Sequence, residues 1–389
     1  MKKLVQFLLF LFLYVALKAQ ISYPCIKENT YYQAESTSDA SPDIIKTIRI
    51  NIHFMLTSEG EGNFRENDDG DGRADYNGYL YAKDLTKWMN EACAWNEQMI
   101  LPYGNQTPVM DKNYRFVLDA VYFWRDDAGY NFSFSSYEYD TYGKNKSNVF
   151  NIFLTYDTRT KPKPSGYALA LSPFSKVKYT KNRAYWQDYK NKLANNNPFE
   201  WFLHSTGNNT LHEIGHLTGL KHTLRWYDGV PCPVGCGEFD EEINPNCDDG
   251  CSDTPTAWEI AQADPECKHP ACGWNMNNEA GCGNNLMDYT GRNALTPCQI
   301  NTMHVNLENG LTSYLLCDAL SQNLSVCDIG YPVVSYFGKV LTIGCPNTMA
   351  EVSNKEGIDV YYSESVELNN FEIDSNSEFE VILSNECTF

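Results

Sequence analysis

Three of the chain's seven histidines, His212, His216 and His222, lie in the stretch TLHEIGHLTGLKHT (210–223). Two imidazoles four residues apart share one face of a helix, with Cβ atoms about 6 Å apart, so both can reach one metal ion at ~2.0–2.1 Å. Glu213 follows the first histidine and is turned about 100° around the helix, toward water at the metal rather than the metal itself. Gly219 can adopt the left-handed backbone that ends a helix, after which the chain can return His222 as a third ligand. Three protein ligands leave one position open, the mark of a catalytic rather than a structural zinc. A bare H-E-x-x-H arises by chance in some chains; Gly219 and His222 at fixed offsets make coincidence several orders of magnitude rarer.

These residues need a frame. Cap-type residues in TGNNT (206–210) precede the apolar-periodic run, so the sequence predicts a helix starting near 209. KTIRINIHFML (46–56) alternates apolar and polar positions, the period of a strand with one buried face, and YRFVLDAVYFW (114–124) and SNVFNIFLTYD (147–157) repeat the signal. AKDLTKWMNEACAWNEQM (82–99) places Leu85, Trp88, Met89, Ala92 and Trp95 at helical spacing, and TPCQINTMHVNLENGL (296–311) reads as a further helix. After Cys317 short Val, Ile, Tyr and Phe runs alternate with Gly, Asn and Ser, so 318–389 reads as a separate all-β domain.

Length and composition bound the rest. With 389 residues, 42% hydrophobic and 21% charged, the chain suits one large domain and a smaller one. Lys2 and Lys3 precede an apolar run from Leu4 to Leu17, followed by Ala19. That is the layout of a secretory signal over 1–19, and the run falls short of the ~20 residues that span a membrane. A polar tail or short pro-segment follows over 20–44. Removing 1–19 takes away Lys2, Lys3 and Lys18 and no acid, moving the net charge from -20 to -23. An acidic exported protein has no cationic excess for nucleic acid, and no later segment approaches spanning length, so no stable membrane insertion is expected. It is expected outside the cell or at its surface; oligomeric state is not readable.

Fourteen cysteines in an exported chain read first as disulfides, with eight between Cys232 and Cys298. A four-cysteine zinc site at Cys232, Cys236, Cys247 and Cys251 is the lesser alternative. An even count also argues against a free Cys25 acting as a latency switch on the metal. NDDGDGRAD (67–75) sets Asp69, Asp71 and Asp75 around two glycines. This is the texture of a calcium loop though not of an EF-hand; a solvated acidic turn is the alternative.

H-E-x-x-H-x-x-G-x-x-H resembles the metzincin zinc peptidases. CGNNLMDYTG (282–291) looks like their Met-turn, with Met287 beneath the metal and Tyr289 two residues on. Together with DTP (253–255), NNLMDY (284–289) and LTPCQINTMHVNL (295–307), the chain is most similar to the pappalysin family, which includes ulilysin-like enzymes. The resemblance covers roughly 46–316. It implies an α+β catalytic domain over 45–317, with a twisted mixed sheet, an active-site helix and an irregular disulfide-rich lower part, beside the small all-β domain. It also implies Zn2+ on His212, His216 and His222, Glu213 as general base, and Tyr289 hydrogen-bonding the substrate carbonyl. Protein or peptide substrate would pair with an edge strand, SGYALALSP (165–173) being the candidate. NCDDGCSDTP (246–255) lies where the family binds Ca2+, Asp253 being the best residue. Ulilysin-like enzymes carry an acid after the Met-turn tyrosine that favours arginine beyond the cut; TGRNALTP (290–297) has Arg292 instead. The competing function is an exported zinc-containing binding or adhesion protein acting through 318–389; a purely structural zinc has no need of Glu213.

Overall fold

KTIRINIHFML forms β1 (Lys46–Leu56), and the expected solvent face is not there: β1 is buried almost throughout. The computed structural model describes residues 44–62, 64–68, 76–99, 106–131, 135–156, 166–169, 176–180, 198–221, 223, 226–227, 230–231, 250–254, 284–287, 293–327, 333–344, 350–352, 358–369, 371–373 and 379–384. The polar residues of β1 can be buried because each finds a partner. Arg49 donates to both carboxylate oxygens of Asp119 at 2.9 and 2.6 Å. Asn51 donates to the Lys144 carbonyl at 3.3 Å. His53 meets Asn151 and Trp124 between stacked Tyr122 and Phe153. Alternation in a sequence signals a half-buried strand only where nothing covers the polar face.

The next elements complete a sheet around β1. Helix α1 (Gly78–Cys93) starts on Asn77, whose side chain accepts from the Leu80 N–H, and buries Leu85, Met89 and Ala92. It ends earlier than the apolar spacing predicts, so Trp95 lies beyond it and is 51% exposed. Strands β2 (Tyr114–Arg125) and β3 (Phe150–Thr155) flank β1 in parallel, with short helices α2 (Asp127–Tyr130) and α3 (Tyr137–Tyr142) between them in the chain. Strands β4 (Gly166–Leu169) and β5 (Lys176–Thr180) complete the order β2-β1-β3-β5-β4, in which only β4 runs antiparallel.

Helix α4 (Pro198–Leu217) carries the histidine motif and packs against α1, β4 and β5. It starts eleven residues before the predicted 209. TGNNT therefore lies inside the helix, and tertiary packing explains why these weak helix formers are tolerated. Gly207 lets the Trp88 indole press against the helix backbone, a space an added Cβ would occupy. Thr206 and Thr210 are fully buried, the Thr210 hydroxyl donating back to the Thr206 carbonyl at 2.8 Å. Helix α4 is followed by the two-residue ribbon β6 (Trp226–Tyr227) and β7 (Val230–Pro231). Helix α5 (Pro297–Asn309) has the reciprocal capping box of Thr296 and Gln299.

Beyond α5, α6 (Leu316–Leu320) leads to β8 (Leu324–Val326), β9 (Ser335–Ile343), β10 (Ala350–Val352), β11 (Ile358–Leu368), β12 (Phe371–Ile373) and β13 (Phe379–Leu383). All described pairings among these strands are parallel, in a sheet of order β13-β11-β9-β8 and a pair β10-β12. From β9 on, successive strands alternate between the two sheets. Ala350 opposes Phe371 and Ile358 opposes Phe379, the same offset of 21 residues in each sheet. Parallel neighbours need a crossover, and here the strand in the other sheet supplies it.

This coil lies against the outer strand of the first sheet. The Val334 N–H donates to the Asp119 carbonyl, Leu316 and Leu320 pack with Val117 and Phe337, and Arg49 stacks on the Phe337 ring. A sheet edge is thereby covered rather than left as a template for association.

The cysteine pattern departs from the even-count expectation. Cys251 is bonded to Cys298, which removes Cys251 from any four-cysteine zinc site. Cys317 and Cys327 are also disulfide-bonded. Cys93, however, is a buried free thiol whose pKa burial raises to about 12. Thirteen others cannot all pair within one chain, so parity no longer bears on Cys25, which lies outside the described residues.

Candidate active site

The last two turns of α4 place His212, Glu213 and His216 together. The two imidazoles meet edge to face with centroids 4.8 Å apart. Each is oriented by a backbone carbonyl: His212 Nδ1 lies 2.7 Å from the Leu286 oxygen and His216 Nδ1 lies 2.8 Å from the Leu220 oxygen. A carbonyl can only accept, so both Nδ1 atoms carry the proton and both rings hold their lone pair on Nε2. Burial depresses both imidazoles, His212 to about 3, with neighbouring His216 adding to its shift and the carbonyl bond opposing it. Neutral rings with Nδ1 anchored are the form in which histidine binds a metal. The donor set therefore fits zinc, and His212 and His216 are the described residues that would hold it. Glu213 lies between them in the chain, 7% exposed.

The end of α4 is held from below. The Leu220 N–H reaches back to the Gly215 carbonyl, and Gly219 has φ +99°, the left-handed turn expected of it. A side chain there would collide with Asn306 of α5, whose amide donates to the Thr218 carbonyl at 2.8 Å. This turn brings the Leu220 carbonyl under His216. His222, the expected third ligand, lies outside the described residues; Thr223, next but one after Lys221, donates its N–H to the Met287 carbonyl.

Met287 is fully buried beneath α4. Gly215 makes this possible: a Cβ there would lie 2.5 Å from the Met287 sulfur. The segment carrying Met287 is folded on itself, with Leu286 N–H to Ala294 carbonyl at 2.7 Å and Ala294 N–H to Asn284 carbonyl at 2.8 Å. Asn285 accepts from the Met287 N–H and exchanges amide hydrogen bonds with Gln299, tying the turn to the first turn of α5. Tyr289 and Arg292 lie outside the described residues.

Asp253 is next to this turn. One carboxylate oxygen accepts from the Thr296 hydroxyl at 2.7 Å and the other from the Cys298 N–H at 2.9 Å. A carboxylate at the start of α5 satisfies orphan donors and suits the positive end of the helix. Cys251 and Cys298 lie within 4.8 Å of it, but their sulfurs are bonded to each other and are not metal donors. Asp69, Asp71 and Asp75 lie outside the described residues.

Several supports went unread at the level of sequence: Asn285, Gln299 and Asn306, and the Leu220 and Leu286 carbonyls. Gln299 alone had a local signal, three residues after Thr296 in a capping-box pattern. The carbonyls have none, because any residue offers one.

No protein-family model matches the chain, and no curated protein sequence matches it. Solved structures do. One is mature mirolysin of Tannerella forsythia in complex with a cleaved peptide, at 12% sequence identity and a TM-score of 0.37, covering 69% of this chain and 98% of the mirolysin chain.

Proposed function

We propose that the chain is an exported zinc-dependent endopeptidase of the metzincin kind, with a pappalysin-like arrangement. The observation that carries this reading is the pair His212 and His216, both with Nδ1 held by a carbonyl, flanking buried Glu213 on one helix. His222 would be the third ligand. Zinc, when bound, supplies Lewis-acid chemistry that acidifies water and draws charge from a peptide carbonyl. Glu213 would accept the proton of the attacking water and return it to the leaving amine. Tyr289 would hydrogen-bond the carbonyl oxygen. Strand β4, outermost in its sheet among the described residues and packed beside α4, offers its backbone to an extended substrate. Residues 1–19 would direct export and 318–389 would act as the all-β domain.

The test is digestion of a proteome-derived peptide library with and without chelator, and with Glu213→Ala. Zinc-dependent cuts are expected, with Glu213→Ala retaining zinc while losing about 10²–10⁴-fold in rate. Full activity in that variant would sink the mechanism. Zinc without any cutting would favour a binding or adhesion protein.

A further inference from the structure

Lys112 is fully buried, and both acceptors of its ammonium are neutral: the Asn293 side-chain oxygen at 2.6 Å and the Ala92 carbonyl at 3.2 Å. The Asn293 amide donates to the same Ala92 carbonyl at 2.7 Å. Ala92 belongs to the last turn of α1, whose carbonyls lack helical partners and carry partial negative charge. Burial lowers the Lys112 pKa to about 8, with Cys93 and Glu97 nearby pulling it back up. An apolar side chain of that length would fill the space without desolvating a cation. Lysine is therefore a costly choice for filling space, and what it grips is informative.

Asn293 is one end of the folded segment that carries Leu286 and Met287. Asn96, just past α1, grips the same end through the Leu295 backbone, donating to its carbonyl at 2.7 Å and accepting from its N–H at 3.0 Å. Asn284, at the other end, donates to Glu97 and to the Gln98 carbonyl. Between the two ends, Ala294 pairs with Leu286, and the Leu286 carbonyl holds His212. We propose that Lys112 is a positioning residue for the candidate site: it clamps Asn293 to the end of α1 and so keeps the Leu286 carbonyl seated against His212. This rests on the reading of His212 as a zinc ligand in a peptidase.

The test uses the zinc-loaded full-length protein and two readouts, the rate of zinc transfer to a chromogenic chelator and the kinetics on a short peptide. Outer partners of metal ligands are worth about 10–100-fold in affinity or activity, so Lys112→Met should transfer zinc about tenfold faster and lose about tenfold in kcat. KM should move less than about threefold, because the lost contact orients a ligand rather than substrate. Asn293→Ala should reproduce both changes, and the double variant should be little worse than either single one, as for residues acting in one chain of contacts. Leu341→Ala in β9 supplies a control that destabilises without touching this chain and should leave zinc transfer unchanged. An unchanged zinc-transfer rate in folded Lys112→Met, or in Asn293→Ala should the first variant not fold, overturns the proposal. If the unaltered protein cuts no peptide, the peptidase reading fails, while the zinc-transfer arm still decides the role of Lys112.

Discussion

Among the described residues, the histidines of the sheet and those of α4 are wired in opposite ways. In the sheet, His53 accepts the Trp124 indole N–H on Nδ1 and donates from Nε2 to Asn151, at 2.9 and 2.8 Å. Both ring nitrogens are consumed by side chains, and aromatic rings stack on the faces. His304 of α5 is similar, bonded at Nδ1 to Lys46 and at Nε2 to the Lys112 carbonyl. On α4, His212 and His216 commit Nδ1 to backbone carbonyls and hold their lone pairs on Nε2. A pKa lowered by desolvation is common to His53, His304, His212 and His216, so it does not identify a site. What separates them is the tautomer: Nε2 carries the proton in His53 and His304, and Nδ1 carries it in His212 and His216.

The sharpest way to break this comparison is to remove one imidazole from each region. His216→Ala should lose stoichiometric zinc and, with it, peptide cleavage by about 10³-fold or more. His53→Gln should keep zinc content and kcat while costing about 1–3 kcal/mol of stability from the partner left unsatisfied. Zinc analysis and chemical denaturation of both variants decide it; loss of zinc in His53→Gln would mean the two regions are not separate.

Acid offers a second, smaller contrast. The His53 pKa is about 3 in the folded protein against 6.5 for the free side chain, so between these values the unfolded chain binds a proton that the folded one does not. Stability should fall as pH drops from about 6.5 toward 3, the His53 share being on the order of 5 kcal/mol across the whole window. Urea midpoints at pH 7 and pH 4.5 measure the effect, which should be smaller in His53→Gln. An equal decline in both would assign the acid sensitivity elsewhere.

The smallest expected effect concerns the acidic residues. If Asp69, Asp71 and Asp75, or Asp253, hold calcium, added Ca2+ should raise the melting temperature, by about 2–4 °C for each kcal/mol of binding to the folded state. Asp253 already serves two donors at the start of α5. Asp253→Asn should therefore lower the melting temperature with or without calcium, and an unchanged melting temperature on calcium addition would leave Asp253 as a helix cap alone.

Much of the candidate site was legible because its information is local. Histidines four residues apart must share a face once a helix forms, and Gly219 marks the turn because other residues resist positive φ. Strands β1, β2 and β3 and helix α5 were legible for the same reason, since periodicity is written in neighbouring residues. The start of α4 was not. Thr206 to Thr210 have the local preferences of a cap, but Trp88 against Gly207 outweighs preferences worth less than about 1 kcal/mol per residue. Burial of both faces of β1 was decided by Asp119, Asn151 and Phe337, distant in sequence and unreadable from alternation. The free thiol of Cys93 likewise depends on what the end of α1 packs against, which a cysteine count cannot express. The sequence by itself determined which side chains could bind a metal and move a proton. Only the tertiary structure decided their tautomer, because the carbonyls of Leu220 and Leu286 are chemically like every other and act through position alone.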